Sequence, residues 1–298
     1  MLLSRILHRF AVVFTLSMTV CAGAAEKDIT ALLPRYAALV AGVDLCALNS
    51  HAQGGEIFDA IQSLSDVPLD IINQAVFACD AAFRRRVSAV SLIEAEDVGR
   101  LLKKLEHRKT TENVGSEPVY LIYGELNKRS AVRLMKLDDR RLGVYFKFPA
   151  DQHFEPDRSG IPDVLEKIVP RRSGVLGFIA GIPQSQRAVI RNIVNYYAAL
   201  ESGVDEELIL HGKIIFKSNA AAAAARIYLP NAVALMLLNQ SQISIADTLK
   251  AFASLNLRRE KNIIYFSCKE FVPLLKIFIS VTHGKIPSIQ AVLNETQR

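Results

Sequence analysis

In the run RLGVYFKF, Leu142, Val144, Phe146 and Phe148 alternate with Gly143, Tyr145 and Lys147, which predicts an antiparallel strand with one face in a core. The runs VYLIYGEL and SAVRLMKL just before it read as strands too, and Asp138 to Arg141 as a hairpin turn. Further upstream, residues 36–48 (YAALVAGVDLCAL) form a strand-like apolar run. The segment GEIFDAIQSL follows with Ile57, Phe58, Ile61 and Leu64 at helical spacing. INQAVFACD and RRVSAVSLI then predict two strands around a turn near Ala81 to Arg84. The spacing of Val98, Leu101, Leu102 and Leu105 predicts a helix over Glu94 to Lys109, with acids at its start, bases at its end and a polar break, TTENVGSEP, beyond it.

Between Pro149 and Gly174, four prolines interrupt a charged segment that holds one short helical piece, PDVLEKIV. GVLGFIAGI then opens a second half. PQSQRAVIRNIVNYYAALES places Ile190, Ile193, Val194, Tyr197 and Ala198 on one helical face, so a helix is expected there. ELILHGKIIF reads as a strand. Ala220 to Ala225 read as a helix capped by Ser218 and Asn219 and lying close against the sheet. SIADTLKAFASL predicts a helix opened by Ser244 and Asp247, NIIYFSCK a strand, and EFVPLLKIFISV a closing helix. Both halves thus read strand, helix, strand, helix, strand. The expected class is α+β, with two similar lobes, each a mainly antiparallel sheet covered on one face by helices.

The chain begins with Arg5 and Arg9, an apolar core and small residues at Ala22 and Ala24, the pattern of a secretory signal peptide. Its apolar core is too short for a membrane span. Cleavage is expected after Ala24, with Ala25 as the alternative. A lipid anchor on Cys21 is disfavoured because Val20 stands where a small residue should precede the cysteine. The expected organisation is a signal peptide at 1–24, a first lobe at 25–155, a linker with a short helix at 156–173 and a second lobe at 174–298. The expected destination is the periplasm or the extracellular space, with no transmembrane span in the mature chain.

The strand order of AALVAGVDLCAL, AVFACD, VSAVSLIEAEDVGRLLKKLE and VYLIYGELNKRSAVRLMKLDDRRLGVYF resembles a loose group of uncharacterised exported bacterial proteins with two α+β lobes. GKIIFKSNAAAAAARIYL followed by LNLRREKNIIYFSCKEFVPLL is similar to the end of that group. The resemblance implies a two-lobed fold and export, and brings no activity with it.

Composition narrows the function classes. The 298 residues are 50% hydrophobic and 22% charged, a globular balance, with no tryptophan and 7% aromatics, which lowers the odds of a sugar- or base-stacking surface. Loss of Arg5 and Arg9 with the leader takes the net charge from +6 to +4. The clusters Arg84-Arg85-Arg86, Arg140-Arg141, Arg171-Arg172 and Arg258-Arg259 flank strand-like runs and read as solvated turns, so no nucleic-acid partner is expected. Cys46 and Cys79 are the candidate disulfide pair, with buried free thiols the stronger reading, and Cys268 remains odd.

Chemistry-bearing motifs are sparse. No G-x-S-x-G elbow or phosphate loop occurs, and AGIPQSQRAV lacks the glycines and the lysine of the latter. A thiol nucleophile would draw on Cys46 with His51, or on Cys79 with Asp80. His51, His107, His153, His211 and His283 are too scattered for a local metal pair, and His211 reads as a sheet residue. The acidic clusters Glu94/Glu96/Asp97, Asp138/Asp139 and Glu206/Glu207 read as a helix start, a turn and a strand approach. No catalytic, cofactor or metal residues are assigned. The expected function is a non-enzymatic binding or interaction module of the cell envelope with a protein or apolar ligand as partner. The alternatives are a hydrolase with a site between the lobes, and a hydrophobic-ligand carrier using Val233 to Leu238 and Phe271 to Val281.

Overall fold

The computed structural model describes residues 31–64, 69–79, 87–104, 108–114, 117–121, 131–147, 160–169, 174–183, 191–203, 205–238 and 245–270. The predicted cleavage site, Cys21, Asp80, the turn at 81–84, Ser244 and the closing segment from Phe271 lie outside them. The class is α+β: a large antiparallel sheet with a few helices.

Strand β1 (Leu39–Asp44) sends Leu39, Ala41 and Val43 to one face and Val40 and Gly42 to the other, and almost all of it is buried. It ends earlier than its apolar run suggests. The Asp44 carboxylate accepts the Ala47 N–H at 2.7 Å and so caps α1 (Leu45–Ser50), whose Leu45 and Leu48 are buried. A cap residue inside an apolar run is what turns the chain here. Helix α2 (Gly54–Leu64) follows, then β2 (Ile72–Cys79) and β3 (Val87–Ala95).

The next helix, α3 (Val98–Lys104), is shorter than expected. Glu94 and Ala95 still belong to β3, paired with Arg141 and Ile72, and Asp97 accepts the Arg100 N–H at 3.1 Å as the cap. The predicted polar break is a hairpin, β4 (Arg108–Val114) with β5 (Glu117–Leu121). Threonine and valine supply its extended preference despite its polarity. β6 (Ala131–Lys136) and β7 (Arg141–Lys147) complete the first half.

At the β6–β7 turn, the Asp138 carboxylate accepts from the backbone N–H of Arg140 and Arg141 and from Arg141 Nε. Burial alone would raise its pKa, but the bonds from Arg141 and from these backbone groups hold it below the usual carboxylate value. A depressed folded-state pKa gives stability that is present at neutral pH and is lost as pH falls below about 4. Asp138→Asn is therefore expected to flatten the acid side of the stability profile, read by urea titrations at stepped pH. An unchanged slope would contradict the turn's role.

After α4 (Asp163–Glu166) comes β8 (Val175–Gly181). The segment read as a helix is instead β9 (Ile193–Ser202). Its apolar residues lie on both faces of a strand, so the period of two is hidden and a helical face can be drawn through the same residues. β10 (Leu208–Phe216) follows, then α5 (Asn219–Leu238), α6 (Ile245–Ser254), β11 (Asn256–Glu260) and β12 (Ile263–Cys268). Ser218 Oγ accepts the Ala221 N–H at 3.1 Å, so the alanine run is a capped helix, with Ala222 buried against Phe216 and Ile264.

The described strands form one 12-stranded sheet in the order β11-β12-β10-β9-β8-β1-β2-β3-β7-β6-β5-β4. Its midpoint is the antiparallel β1–β8 pair, from Leu39↔Gly181 to Val43↔Gly177. In each half the third strand precedes a helical crossover and pairs with the last strand: β3 with β7, β10 with β12. The strand before the last then lies outside it, β6 beyond β7 and β11 beyond β12.

One face, carrying Leu39, Ala41, Val43, Ala75, Phe77 and Leu142, is covered by α1, α2 and α3 through Leu45, Ile57, Ile61 and Leu101. α5 packs over Phe216 and Ile264 on that same face. On the opposite face Val40, Val76, Ala78, Val90, Leu92 and Tyr145 lie under Leu33, Ala37, Ile161, Leu165 and Val169. Both large clusters draw residues from the two halves, Leu176 and Leu208 in the first, Phe178 and Ala199 in the second.

Candidate functional site

Alternation along β9, β10, β12 and β11, combined with their register, gives the opposite face of the second half a distinct character. Tyr197, Lys213, Tyr265 and Arg258 lie directly across from one another on four neighbouring strands. One row on are Ala199, His211, Ser267 and Asn256; one row back are Asn195, Ile215, Ile263 and Glu260. The first half has Val76, Ala78, Val90, Leu92 and Tyr145 on this face, all buried under the covering segments. In the second half Tyr197, His211, Lys213 and Tyr265 are half-buried.

The charges are mostly matched. His211 Nε2 lies 2.8 Å from Glu201 Oε2, close enough for an ion pair but not aligned as a hydrogen bond, and the Tyr197 ring meets the imidazole edge-on with centroids 6.1 Å apart. Arg258 is bonded to Glu260 and sits 5.8 Å from the Tyr265 ring centroid. Lys213, between the two tyrosines, is bonded to none of the described residues. Asn195 is only 8% exposed, and its side-chain carbonyl oxygen has no hydrogen-bond partner among the described residues. Leaving such a group unpaired costs about 1–3 kcal/mol.

A Ser–His contact joins the two halves: His51 Nε2 lies 3.2 Å from Ser202 Oγ. It is not an activated nucleophile. The Gln53 N–H donates to His51 Nδ1 at 3.2 Å, so the neutral imidazole carries its proton on Nε2 and donates to the serine. A general base would need a lone pair at that nitrogen.

The remaining sequence candidates fall into structural roles. Glu94 accepts from Gln74 and Arg140, and Glu207 pairs with Lys269 at 2.8 Å. Cys46 is exposed on α1, Cys79 is buried on β2, and no disulfide links them. The register explains why they are not joined to each other. Leu39↔Cys79 and Asp44↔Gln74 are opposite ends of the β1–β2 ladder, so Cys46 lies beyond the far end, roughly 15–20 Å from Cys79 by strand rise. A disulfide needs Cα atoms within about 7 Å. His107, His153 and His283 lie outside the described residues, as do the apolar side chains of 233–238 and 271–281. Among the described residues no group of three His, Cys, Asp or Glu side chains could hold a metal, and no helix is long and apolar enough to cross a membrane.

Two features escaped sequence reasoning. The Tyr196 ring lies over Gly181, where an added Cβ would meet its hydroxyl at 2.4 Å; burial, then the charge of Cys79, pushes its phenol pKa up, so it stays protonated. Cys268 Sγ lies 3.2 Å from Ser254 Oγ, and burial raises the thiol, which keeps it unreactive at neutral pH.

No protein-family model matches the chain, and no curated protein matches it. Among solved structures it is similar to crystal form I of TP0453, with a TM-score of 0.45 and 9% identity over 87% of this chain and 98% of that one.

Proposed function

We propose that the chain is an exported, non-enzymatic binding module of the cell envelope, and that it binds through the polar face of β9, β10 and β12. Export rests on the charged, apolar and small-residue sequence of positions 1–24. The observation that carries the binding role is the contrast between the halves. Where the first half presents covered aliphatic residues, the second presents Tyr197, His211, Lys213 and Tyr265, half-exposed, beside the unpaired Asn195. Polar and aromatic groups converging on a rigid sheet suit recognition.

The matching strand orders around β3 and β10 support an internal duplication, with the β4–β5 hairpin added to the first half. On that view each half is the successor of one ancestral lobe, and the second has kept half-exposed polar and aromatic residues on this face for binding. A second reading, contact with an apolar partner, is favoured by Ile227, Tyr228 and Leu249, which are 68%, 69% and 62% exposed on α5 and α6.

The test is recovery of the mature protein from its native envelope fraction, with mass spectrometry of what accompanies it. Binding through the sheet face predicts a companion that Tyr265→Ala loses and Ile227→Asp keeps. The reverse pattern would move the site to the helices, and a full-length, uncleaved chain found in the cytoplasm would end the envelope assignment.

A further inference from the structure

We infer that the ligand of this face is an acidic saccharide: a chain of sugar rings bearing about one carboxylate or phosphate per site. The inference rests on the binding role proposed above and adds its chemistry. The charge count is the first argument. His211 faces Glu201 and Arg258 holds Glu260, which leaves Lys213, among the described residues of these rows, as the cation able to receive an anionic group. A nucleic acid would need several such cations to hold successive phosphates.

The rings are the second argument. Tyr197 and Tyr265 stand two strands apart on either side of Lys213, roughly 9–10 Å by strand spacing. Tyr197 packs in part against the covered cluster and Tyr265 lies under Arg258, but both stay half-exposed; the ring surface left to them suits the flat C–H faces of sugar rings, and a cation between them reaches a carboxylate on one of those rings. The unsatisfied Asn195 oxygen is the third. It is a buried acceptor that needs an O–H or N–H donor, and a sugar hydroxyl or acetamido N–H supplies one. A peptide strand is disfavoured because these rows lie in the middle of the sheet, where the neighbouring strands already use the backbone groups.

The test uses the mature full chain and three probes: a tetrasaccharide of alternating glucuronate and N-acetylglucosamine, the neutral N-acetylglucosamine tetramer, and a ten-residue oligothymidylate. Calorimetric titration is expected to show binding of the acidic tetrasaccharide, weakened about tenfold or more by Lys213→Gln. Asn195→Leu is expected to abolish binding and yet raise the Tm by about 2–4 °C, because it removes an unpaired buried polar group. A merely structural asparagine would lower the Tm instead. Equal affinity for the neutral tetramer, or a Lys213→Gln protein that binds unchanged, would overturn the acidic requirement. Binding of the oligothymidylate in preference, or of no probe, would overturn the saccharide assignment. In either case a companion recovered from the envelope and lost in Tyr265→Ala would leave the binding role standing, whereas its absence would remove both.

Discussion

Phe178→Ala is expected to destabilise the protein by about 3–5 kcal/mol, the usual loss when a buried aromatic ring is truncated in a core that cannot collapse around the gap. Phe178 is 6% exposed on β8, and its ring lies on Gly42 of β1, where an added Cβ would meet it at 2.0 Å. The ring therefore fills the space of the missing side chain and seals the join between the halves. This makes a sharper forecast than the loss itself. Gly42→Ala alone should destabilise by about 1–3 kcal/mol through overpacking. In the Phe178→Ala background it should be neutral or favourable, because the space is then open and alanine loses less backbone entropy. Urea denaturation of the four proteins measures the coupling; additive losses would show that the ring and the glycine do not share that space.

Gly212→Val is expected to cost about 3 kcal/mol, at the upper end for an inserted side chain. Gly212 lies mid-strand in β10, directly opposite Ala198. A Cβ there would come within 2.1 Å of the Tyr197 carbonyl oxygen and 2.8 Å of Ala198 Cα. Both are backbone atoms of the adjoining strand, so relief requires β9 to move away from β10, and the row carrying Tyr197 and Lys213 moves with it. Strand propensity alone predicts the opposite sign, since valine is favoured in strands over glycine. A stabilised Gly212→Val protein would mean that the two strands do not approach this closely.

Much of the fold is legible in the chain, because patterns that bury a single face leave a clear period. β7, β10, α2 and the alanine helix α5 follow from alternation or helical spacing with recognisable caps. The misreadings share a cause. In β9 both faces carry apolar residues, and in β1 both are buried, so periodicity cannot fix the element or its end; Asp44, a cap within an apolar run, decides the latter. β4 and β11 are edge strands with charged sequences, RKTTENV and NLRRE, and edge strands avoid the apolar pattern that would expose them to mispairing.

The candidate face was legible only in fragments. His211 reads as a histidine within a strand, but Tyr197 and Asn195 fall in a run whose spacing reads as a helix, and no spacing links Tyr197, Lys213 and Tyr265. Their meeting is a product of register: three strands must pair at Lys213↔Tyr197 and Lys213↔Tyr265 before the row exists. The continuity of the sheet through β1 and β8 is of the same kind, a non-local pairing of residues 140 positions apart at Val40↔Ala180 that local patterns cannot encode.

The most direct test of the proposed face is amide hydrogen exchange with and without the acidic tetrasaccharide. Slowed exchange confined to Ile193–Ser202, Leu208–Phe216 and Ile263–Cys268 is the expected result. Protection appearing instead along Asn219–Leu238, or none at saturating ligand, would contradict it.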